Sequence, residues 1–256
     1  MFTKLTATYI RPVVPRPASA VVPRPASTVI AVRSGGPGIE VLMVRRDRAA
    51  RFMAGARVFP GGSVDDIDRS SLAQGAVRWD GDTEEHPWRA AALRELAEEA
   101  GVVISDQHIT LDRVQGSDLY DAVSRLGAHL DADRLWYISN WVTPAGLPRR
   151  FDTRFYLTIL EGETDAVSDD AEVFDAVWVA PSEALARGDD GSWLVEMPTR
   201  VHLELLAALA DTESVRRHCA SVVPQRVEPI IETAADGTVR VSVPDDPTIV
   251  ETIHVR

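Results

Sequence analysis

Cysteine is almost absent from this 256-residue sequence, which contains only Cys219. One cysteine cannot form an internal disulfide, so we expect a reducing compartment and interpret Cys219 as a packed side chain. Long apolar runs are also missing, because no stretch approaches the ~18 residues of a membrane-spanning helix. The first residues lack the uninterrupted apolar segment of a secretory signal. These absences predict a cytoplasmic protein without membrane attachment.

Positive charge is scarce and is carried almost wholly by arginine. The 27 Lys and Arg residues oppose 39 Asp and Glu residues, which leaves a net charge of −12. A chain this acidic is not expected to bind nucleic acid generally. An anionic small molecule would need locally concentrated positive charge, and one stretch before a Pro-Gly-Gly turn supplies it with five arginines. They are Arg45, Arg46, Arg48, Arg51 and Arg57, opposed there only by Asp47.

A short acidic stretch, Arg-Glu-Leu-Ala-Glu-Glu-Ala-Gly-Val over residues 94–102, organises the chain. Residues three and four apart are neighbours on a helix, so Glu95 would lie beside both Glu98 and Glu99. Gly101 stands where a glycine commonly ends a helix. Three close carboxylates repel one another unless a cation neutralises them, and oxygen ligands suit Mg²⁺ or Mn²⁺. A solvated acidic helix face is the alternative interpretation.

The order of these residues resembles the second half of the Nudix box, Gly-x5-Glu-x7-Arg-Glu-U-x-Glu-Glu-x-Gly-U, where U is aliphatic. The first half is represented by Phe59-Pro60-Gly61-Gly62. The box is split, because Asp68 occupies the position of the first glutamate and Arg94 follows it after 26 positions instead of eight. An insert of about 18 residues therefore interrupts the box, and its first glutamate is left unassigned.

The resemblance implies an α/β Nudix fold, with a curved mixed β-sheet sandwiched between α-helices. It also implies hydrolysis of a P–O–P bond with Mg²⁺ or Mn²⁺ as cofactor. By matching positions, Glu95, Glu98 and Glu99 would be catalytic metal ligands, and one of them could serve as the base. Gly61 would offer its backbone carbonyl to a metal. Arg94 would orient the carboxylates through a salt bridge, with a simple surface ion pair as the alternative.

One further acid is a candidate because some Nudix enzymes recruit a carboxylate from the loop before a late strand. Glu172 stands at about that position. It could be a fourth ligand or the general base. A solvated loop acid is the alternative.

The motif Arg46-Asp47-x3-Arg51-x3-Gly55-x3-Phe59 resembles the accessory motif of coenzyme A diphosphatases. Together with the split box and Arg150–Phe155, it resembles the acyl-coenzyme A diphosphatase branch. Arg46, Arg51 and Arg57 are therefore predicted to bind substrate. Arg51 is expected to bind the 3′-phosphate of coenzyme A, because the planar fork of arginine suits phosphate oxygens.

Other functions remain open at this point. The chain could be a Nudix diphosphatase for ADP-ribose, dinucleotides or nucleoside triphosphates. It could also be a non-catalytic Nudix sensor that binds a nucleotide. In each case the expected partner is a small nucleotide-like molecule.

The chain is predicted to have three parts. Residues 1–26 form a Pro-rich tail with a near-repeated Val-Val-Pro-Arg-Pro-Ala-Ser unit, and residues 27–222 form the Nudix domain with C-terminal helices. Residues 223–256 form a β-hairpin extension around Asp236-Gly237, which could pack on the domain or pair with a second subunit in a homodimer. Residues 63–85 are predicted to be a surface loop, with a lid over the substrate as the alternative.

Overall fold

The computed structural model of the chain describes residues 21–47, 54–111, 114–162, 166, 173–234, 238–244 and 246–253. The strands within these ranges are β1 Arg24–Gly35, β2 Gly38–Arg46, β3 Arg57–Val58, β4 Gly61–Ser63, β5 Val77–Arg78, β6 Leu130–Asp131, β7 Trp136–Val142, β8 Phe151–Ile159, β9 Val173–Val179, β10 Gln225–Val227, β11 Ile230–Thr233, β12 Val239–Val243 and β13 Asp246–Ile253. The helices are α1 Ser71–Ala76, α2 His86–Ala100, α3 Ser117–Arg125, α4 Pro181–Asp189, α5 Met197–Ala207 and α6 Thr212–Ser221.

The described strands form an eight-stranded mixed sheet in the order β10-β7-β8-β1-β2-β3, with β4 on β1 and β9 on β2. The central strand β1 runs parallel to β8 and antiparallel to β2 and β4. Val29 and Ala31 face a core built with α1, α2 and α3, whereas Ile30 and Val32 face a second core built with α4, α5 and α6. Alternation along a buried strand explains this division. The predicted α/β fold with a mixed sheet between helices is confirmed.

Helix α2 carries the acidic stretch and lies on β1 and β4. Pro87 is in its first turn, where a missing N–H costs little, and Gly101 closes it at φ 67° with its N–H donating to Ala97. The Ser27 hydroxyl donates to the Trp88 carbonyl at 2.7 Å and ties the start of β1 to the helix. Most of α2 is buried, including Arg94, Glu95 and Glu99, so these charged side chains lie inside the protein.

The predicted surface loop at 63–85 is wrong. A 3-10 turn at Asp66–Arg69, helix α1 and strand β5 lie within it, and Ala73, Ala76 and Val77 join the core beside α2. Short elements of this kind have too few residues for apolar periodicity to emerge in the sequence, which is why the segment resembled a loop.

Both ends of the described chain take part in β-sheets. Strand β1 begins at Arg24, inside the predicted tail, and pairs with β8 from its first residue. At the other end, β10 joins the large sheet through β7, and the predicted hairpin β11–β12 gains a third strand, β13. Val243 is buried against the second core, so this small sheet packs on the domain. No helix of the described residues is both long and apolar enough to cross a membrane.

Candidate active site

Strand β4 lies directly against the carboxylates of α2. The N–H of Gly61 donates to Glu99 at 2.9 Å. A Cβ at Gly62 would lie 2.5 Å from a carboxylate oxygen of Glu95. Because neither glycine has a side chain, the strand backbone can approach both acids closely. The structure thus brings the two halves of the split box together.

Arg94 is the centre of a buried network. Its Nε and Nη2 donate to the two carboxylate oxygens of Asp68 at 2.8 and 2.9 Å. Its Nη1 donates to Glu95 at 2.7 Å and to Glu98 at 3.3 Å. Glu98 also accepts from the N–H of Gly116 at 2.6 Å. Arg94 therefore fixes two of the three carboxylates, and the simple surface pair considered for it is wrong because its side chain is only 4% exposed.

Asp68 is the residue that sequence reasoning counted but did not assign. It is fully buried on the 3-10 turn and accepts from the Tyr120 hydroxyl at 2.6 Å and from the Asp65 N–H at 2.8 Å, besides Arg94. It occupies the sequence position at which the box has its first glutamate. Counting along the box already led to position 68. Because segment 63–85 was expected to be a surface loop, however, nothing indicated that the Asp68 side chain is buried.

Burial and neighbouring charges act on the pKa values of these groups in opposite directions, and the net result is a raised pKa for Glu95, Glu98 and Arg94. Burial raises the pKa of Glu95 to about 7, although the Arg94 charge opposes the shift. Burial also raises the pKa of Glu98, against the Gly116 hydrogen bond and Arg94. For Arg94, burial alone would lower the pKa, but the hydrogen bond to Asp68 and the surrounding carboxylates raise it overall. Arg94 therefore stays charged, whereas keeping the buried Glu95 and Glu98 carboxylates ionised costs free energy.

The donor types suit a divalent cation, because carboxylate oxygens are its preferred ligands and desolvated anions gain most from its charge. The Gly61–Gly62 strand leaves the Glu95 and Glu99 carboxylates uncovered by any side chain of its own. Among the described residues, no three or more acidic, histidine or cysteine side chains are arranged so that they could hold a metal ion. Arg94 and Gly61 hold the glutamates instead.

The predicted substrate arginines lie on different sides of the sheet. Arg46 alternates with Arg45 on β2 and shares the α2 side with Leu42, and its Nε is buried without a hydrogen-bond partner in the described residues. Arg57 is on the opposite side, where it packs 4.6 Å from the Trp193 ring and donates to the Asp175 carbonyl. The described structure thus places Arg46, but not Arg57, on the face of the carboxylate helix.

Arg51 and Glu172 lie outside the described residues. A surface cleft of about 610 Å³ lies at the far end of the β1–β2 hairpin, lined by Arg33, Glu40 and Arg216 among others. None of the predicted site residues lines this cleft, so it is separate from the carboxylate site.

Comparison with known proteins adds independent findings. A family model described as the NUDIX domain matches residues 22–197. The human acyl-coenzyme A diphosphatase NUDT19 is 28% identical over 265 residues, which covers 79% of this chain and 70% of that protein. A relative from Caenorhabditis elegans, named as nudix hydrolase 7, is 28% identical over 190 residues, 70% of this chain. The present chain spans only 59% of that relative's length.

A solved structure supports the fold. The crystal structure of a NUDIX hydrolase from Alicyclobacillus acidocaldarius is 29% identical and superposes with a TM-score of 0.63. The match covers 80% of this chain and 98% of that one. It thus includes most of the described sheet and helices.

Proposed function

Because this chain belongs to the Nudix hydrolase family, we propose that it hydrolyses the diphosphate bond of coenzyme A or an acyl-coenzyme A with Mg²⁺. Nudix hydrolases generally use divalent cations and act on nucleotide derivatives. The finer substrate assignment is supported by the similarity to the human acyl-coenzyme A diphosphatase along 79% of this chain. The accessory motif from Arg46 to Phe59 points to the same substrates.

The observation that carries the proposal is the buried Arg94 network against the glycine strand. Arg94, anchored by Asp68, fixes the carboxylates of Glu95 and Glu98, and Gly61 fixes Glu99. Carboxylates fixed in this way could bind a cation without reorganising, and that cation would stabilise the negative charge that develops on the phosphates. A non-catalytic sensor has no need for three desolvated carboxylates, whose free-energy cost is high.

Each residue has a proposed role. Glu95, Glu98 and Glu99 hold the cation, with the Gly61 carbonyl as a further ligand, and one of the glutamates or Glu172 accepts the proton of the attacking water. Arg94 orients Glu95 and Glu98. A cation bound there would neutralise the diphosphate and lower the pKa of the attacking water. Arg46 and Arg51 are proposed to contact substrate phosphates; a substrate role for Arg57 stays a prediction, although its described position is across the sheet.

The test is a hydrolysis screen with Mg²⁺ over coenzyme A, acyl-coenzyme A, ADP-ribose, NADH and nucleoside triphosphates. We expect coenzyme A or its acyl ester to give the highest kcat/KM. Glu98→Gln and Glu99→Gln should each abolish most turnover while the melting temperature shows an intact fold. Glu204→Gln, the same change at an exposed position on α5, is the control and should leave turnover unchanged.

Highest activity on ADP-ribose would refute the substrate assignment and leave the Nudix chemistry standing. Near-normal turnover in both glutamine variants would remove the proposed metal ligands. The cytoplasmic location and a homodimer stay predictions that other experiments must test.

A further inference from the structure

Two arginines flank one tryptophan beside the candidate active site. The central guanidinium carbon of Arg154 lies 4.1 Å from the centre of the Trp88 ring and 5.5 Å from that of Tyr137. The corresponding carbon of Arg69 lies 5.4 Å from the Trp88 ring. Trp88, Tyr137 and Arg154 are partly exposed and Arg69 is exposed, so a ligand can reach them. We call these four residues the arginine–tryptophan cluster.

The arginine–tryptophan cluster lies close to the carboxylates, as the residue pairing across strands β4, β1 and β8 shows. Ser27 on β1 is paired with Gly62 on one side and with Arg154 on the other. Neighbouring strands are ~4.8 Å apart, so Arg154 lies about 10 Å from the glycine that touches Glu95. Trp88 precedes Glu95 by seven residues, which is two helical turns and places both on one face of α2.

The two arginines have hydrogen-bond donors to spare. Within the described ranges Arg154 has one ion pair, from its buried Nη1 to Glu85 at 3.5 Å, and that nitrogen makes no hydrogen bond there. Glu85 is also the partner of Arg89, at 3.0 Å. Arg69 makes no ion pair with any residue that the structure describes. In an acidic protein, such a pair of cations suits an anionic ligand.

A nearby arginine shows what a purely structural role looks like. Arg89 is 5% exposed, and besides Glu85 it donates to the carbonyls of Ala132 and Leu135 at 2.9 and 2.8 Å. The N–H groups of Arg89 therefore bind acceptors of the protein itself. Arg154 and Arg69 differ from it in both exposure and partners.

We propose that Arg154 and Arg69, stacked on Trp88, bind a phosphate monoester of the substrate away from the cleaved bond. This inference rests on the proposed function and names the ligand as the 3′-phosphate on the ribose of coenzyme A. The central carbons of the two arginines are at most about 9.5 Å apart, the sum of their distances of 4.1 and 5.4 Å to one ring, so an anion at the edge of Trp88 would be near both. Stacking on an aromatic ring leaves the edge of a guanidinium free for bidentate contact with phosphate.

The 3′-phosphate of coenzyme A needs a binding site separate from that of the diphosphate. A cation on the glutamates serves the diphosphate, whereas the 3′-phosphate lies a few ribose bonds away and requires its own partner. The cluster lies at about that separation, on the same face of the sheet. Under this proposal the 3′-phosphate contacts Arg154 and Arg69, and the prediction that Arg51 binds it is the competing outcome of the test.

The experiment compares two metal-free ligands by calorimetry, adenosine 3′,5′-bisphosphate and AMP, which differ only in the 3′-phosphate. Wild type should bind the bisphosphate at least tenfold more tightly. Arg154→Gln should remove about tenfold to hundredfold of affinity for the bisphosphate, as expected for a lost charge-assisted contact, and leave AMP binding within twofold. Arg69→Gln should have a smaller effect in the same direction, because its side chain is more exposed.

The controls separate binding from folding. Arg216→Gln removes another arginine near a tryptophan, 5.9 Å from the Trp136 ring, and should change neither affinity. Arg154→Lys keeps the charge without the fork and should give an intermediate loss, with melting temperatures confirming that each variant is folded. Equal affinity of Arg154→Gln and wild type for the bisphosphate would overturn the proposal, as would an equal loss for both ligands. So would a preference abolished by Arg51→Ala but kept in Arg154→Gln.

Hydrolysis distinguishes this inference from the proposed function. If the bisphosphate preference depends on Arg154 but wild type does not cleave coenzyme A, the phosphate site stands and the proposed function fails. If coenzyme A is cleaved but Arg154→Gln keeps the wild-type ratio of kcat/KM for coenzyme A to that for dephospho-coenzyme A, the phosphate site fails and the function stands.

Discussion

At the scale of single residues, Asp68 is the side chain on which the site depends most. Asp68→Asn removes the charge that compensates Arg94 and turns an acceptor into a donor facing other donors. Breaking a buried pair by neutralising one partner costs about 3–5 kcal/mol, so we expect a loss of that order in the free energy of unfolding. Activity should fall further than stability explains, because Arg94 also positions Glu95 and Glu98. Denaturant unfolding and kcat/KM measure the two effects.

Tyr120→Phe is the matched control for that prediction. It removes one hydroxyl from Asp68 and leaves the Arg94 pair intact. The expected loss is about 1.5–3 kcal/mol, the range for one hydrogen bond to a charged group. If Tyr120→Phe were as damaging as Asp68→Asn, the pair with Arg94 would not be the main role of Asp68.

At the scale of elements, the two glycines of β4 predict opposite outcomes for the same substitution. At Gly61 a Cβ would lie 2.4 Å from the Ser27 backbone oxygen, which cannot move without disturbing the pairing of β1 and β4. At Gly62 its three nearest atoms would all be at the end of the flexible Glu95 side chain, the closest at 2.5 Å. We expect Gly61→Ala to lower stability by about 1–3 kcal/mol. Gly62→Ala should instead lower kcat/KM at least tenfold with little change in stability.

Gly75→Ala on α1 controls for the loss of glycine itself. Nothing lies within 4 Å of its Cβ position. A helical glycine replaced by alanine should gain about 0.5–1 kcal/mol. Thermal unfolding and steady-state kinetics of the three variants check the whole set, and a Gly62→Ala enzyme with full activity would show that Glu95 tolerates displacement.

The sequence predicted the elements whose pattern is local. The helical spacing of Glu95, Glu98 and Glu99 and the terminal Gly101 made the end of helix α2 recognisable. What could not be predicted depends on contacts between distant residues. The burial of Asp68 requires Tyr120, 52 positions away, and the side of the sheet occupied by Arg57 requires the pairing of β2 with β3.

At the scale of the whole molecule, Mg²⁺ should raise the melting temperature, because a ligand that binds only the folded state stabilises it. The gain is about 2.7 kcal/mol when the free ion is at 100 times its dissociation constant. In Glu99→Gln the gain should shrink strongly, since one ligand has lost its charge. Differential scanning calorimetry with and without Mg²⁺ measures this, and an equal gain in both proteins would place the ion elsewhere.

Acid should destabilise the fold through one buried histidine. The Nδ1–H of His202 donates to the Pro198 carbonyl at 2.6 Å, so its Nε2 accepts from the Ser139 hydroxyl at 2.7 Å, and its ring stacks 4.5 Å from that of Phe155. Burial lowers the pKa of His202 to about 4, from an ordinary value of 6.5. Between those two values the unfolded chain binds the proton and the folded chain does not, so stability falls as pH falls.

The contribution of His202 should be complete above pH 6.5 and lost by about pH 4, and it amounts to about 3 kcal/mol for a shift of this size. Carboxylates titrate in the same range, so the informative quantity is the difference from His202→Gln. The free energy of unfolding of wild type should fall by about 3 kcal/mol more than that of the variant between pH 7 and pH 4. Parallel pH profiles would contradict a neutral buried His202.

Segment 63–85 has a consequence for protein engineering. Excising residues 63–80, the 18 residues by which the Gly62-to-Arg94 spacing exceeds that of an unbroken Nudix box, would look like the repair of a defect in the sequence. In this molecule the excision would remove the apolar side chains of α1 from the core around α2 and the counter-ion of Arg94 with them. A shortened chain would need a new carboxylate at Arg94 and new apolar surface over α2 and α3, so a box transplanted from a shorter relative would have to bring its own supporting residues.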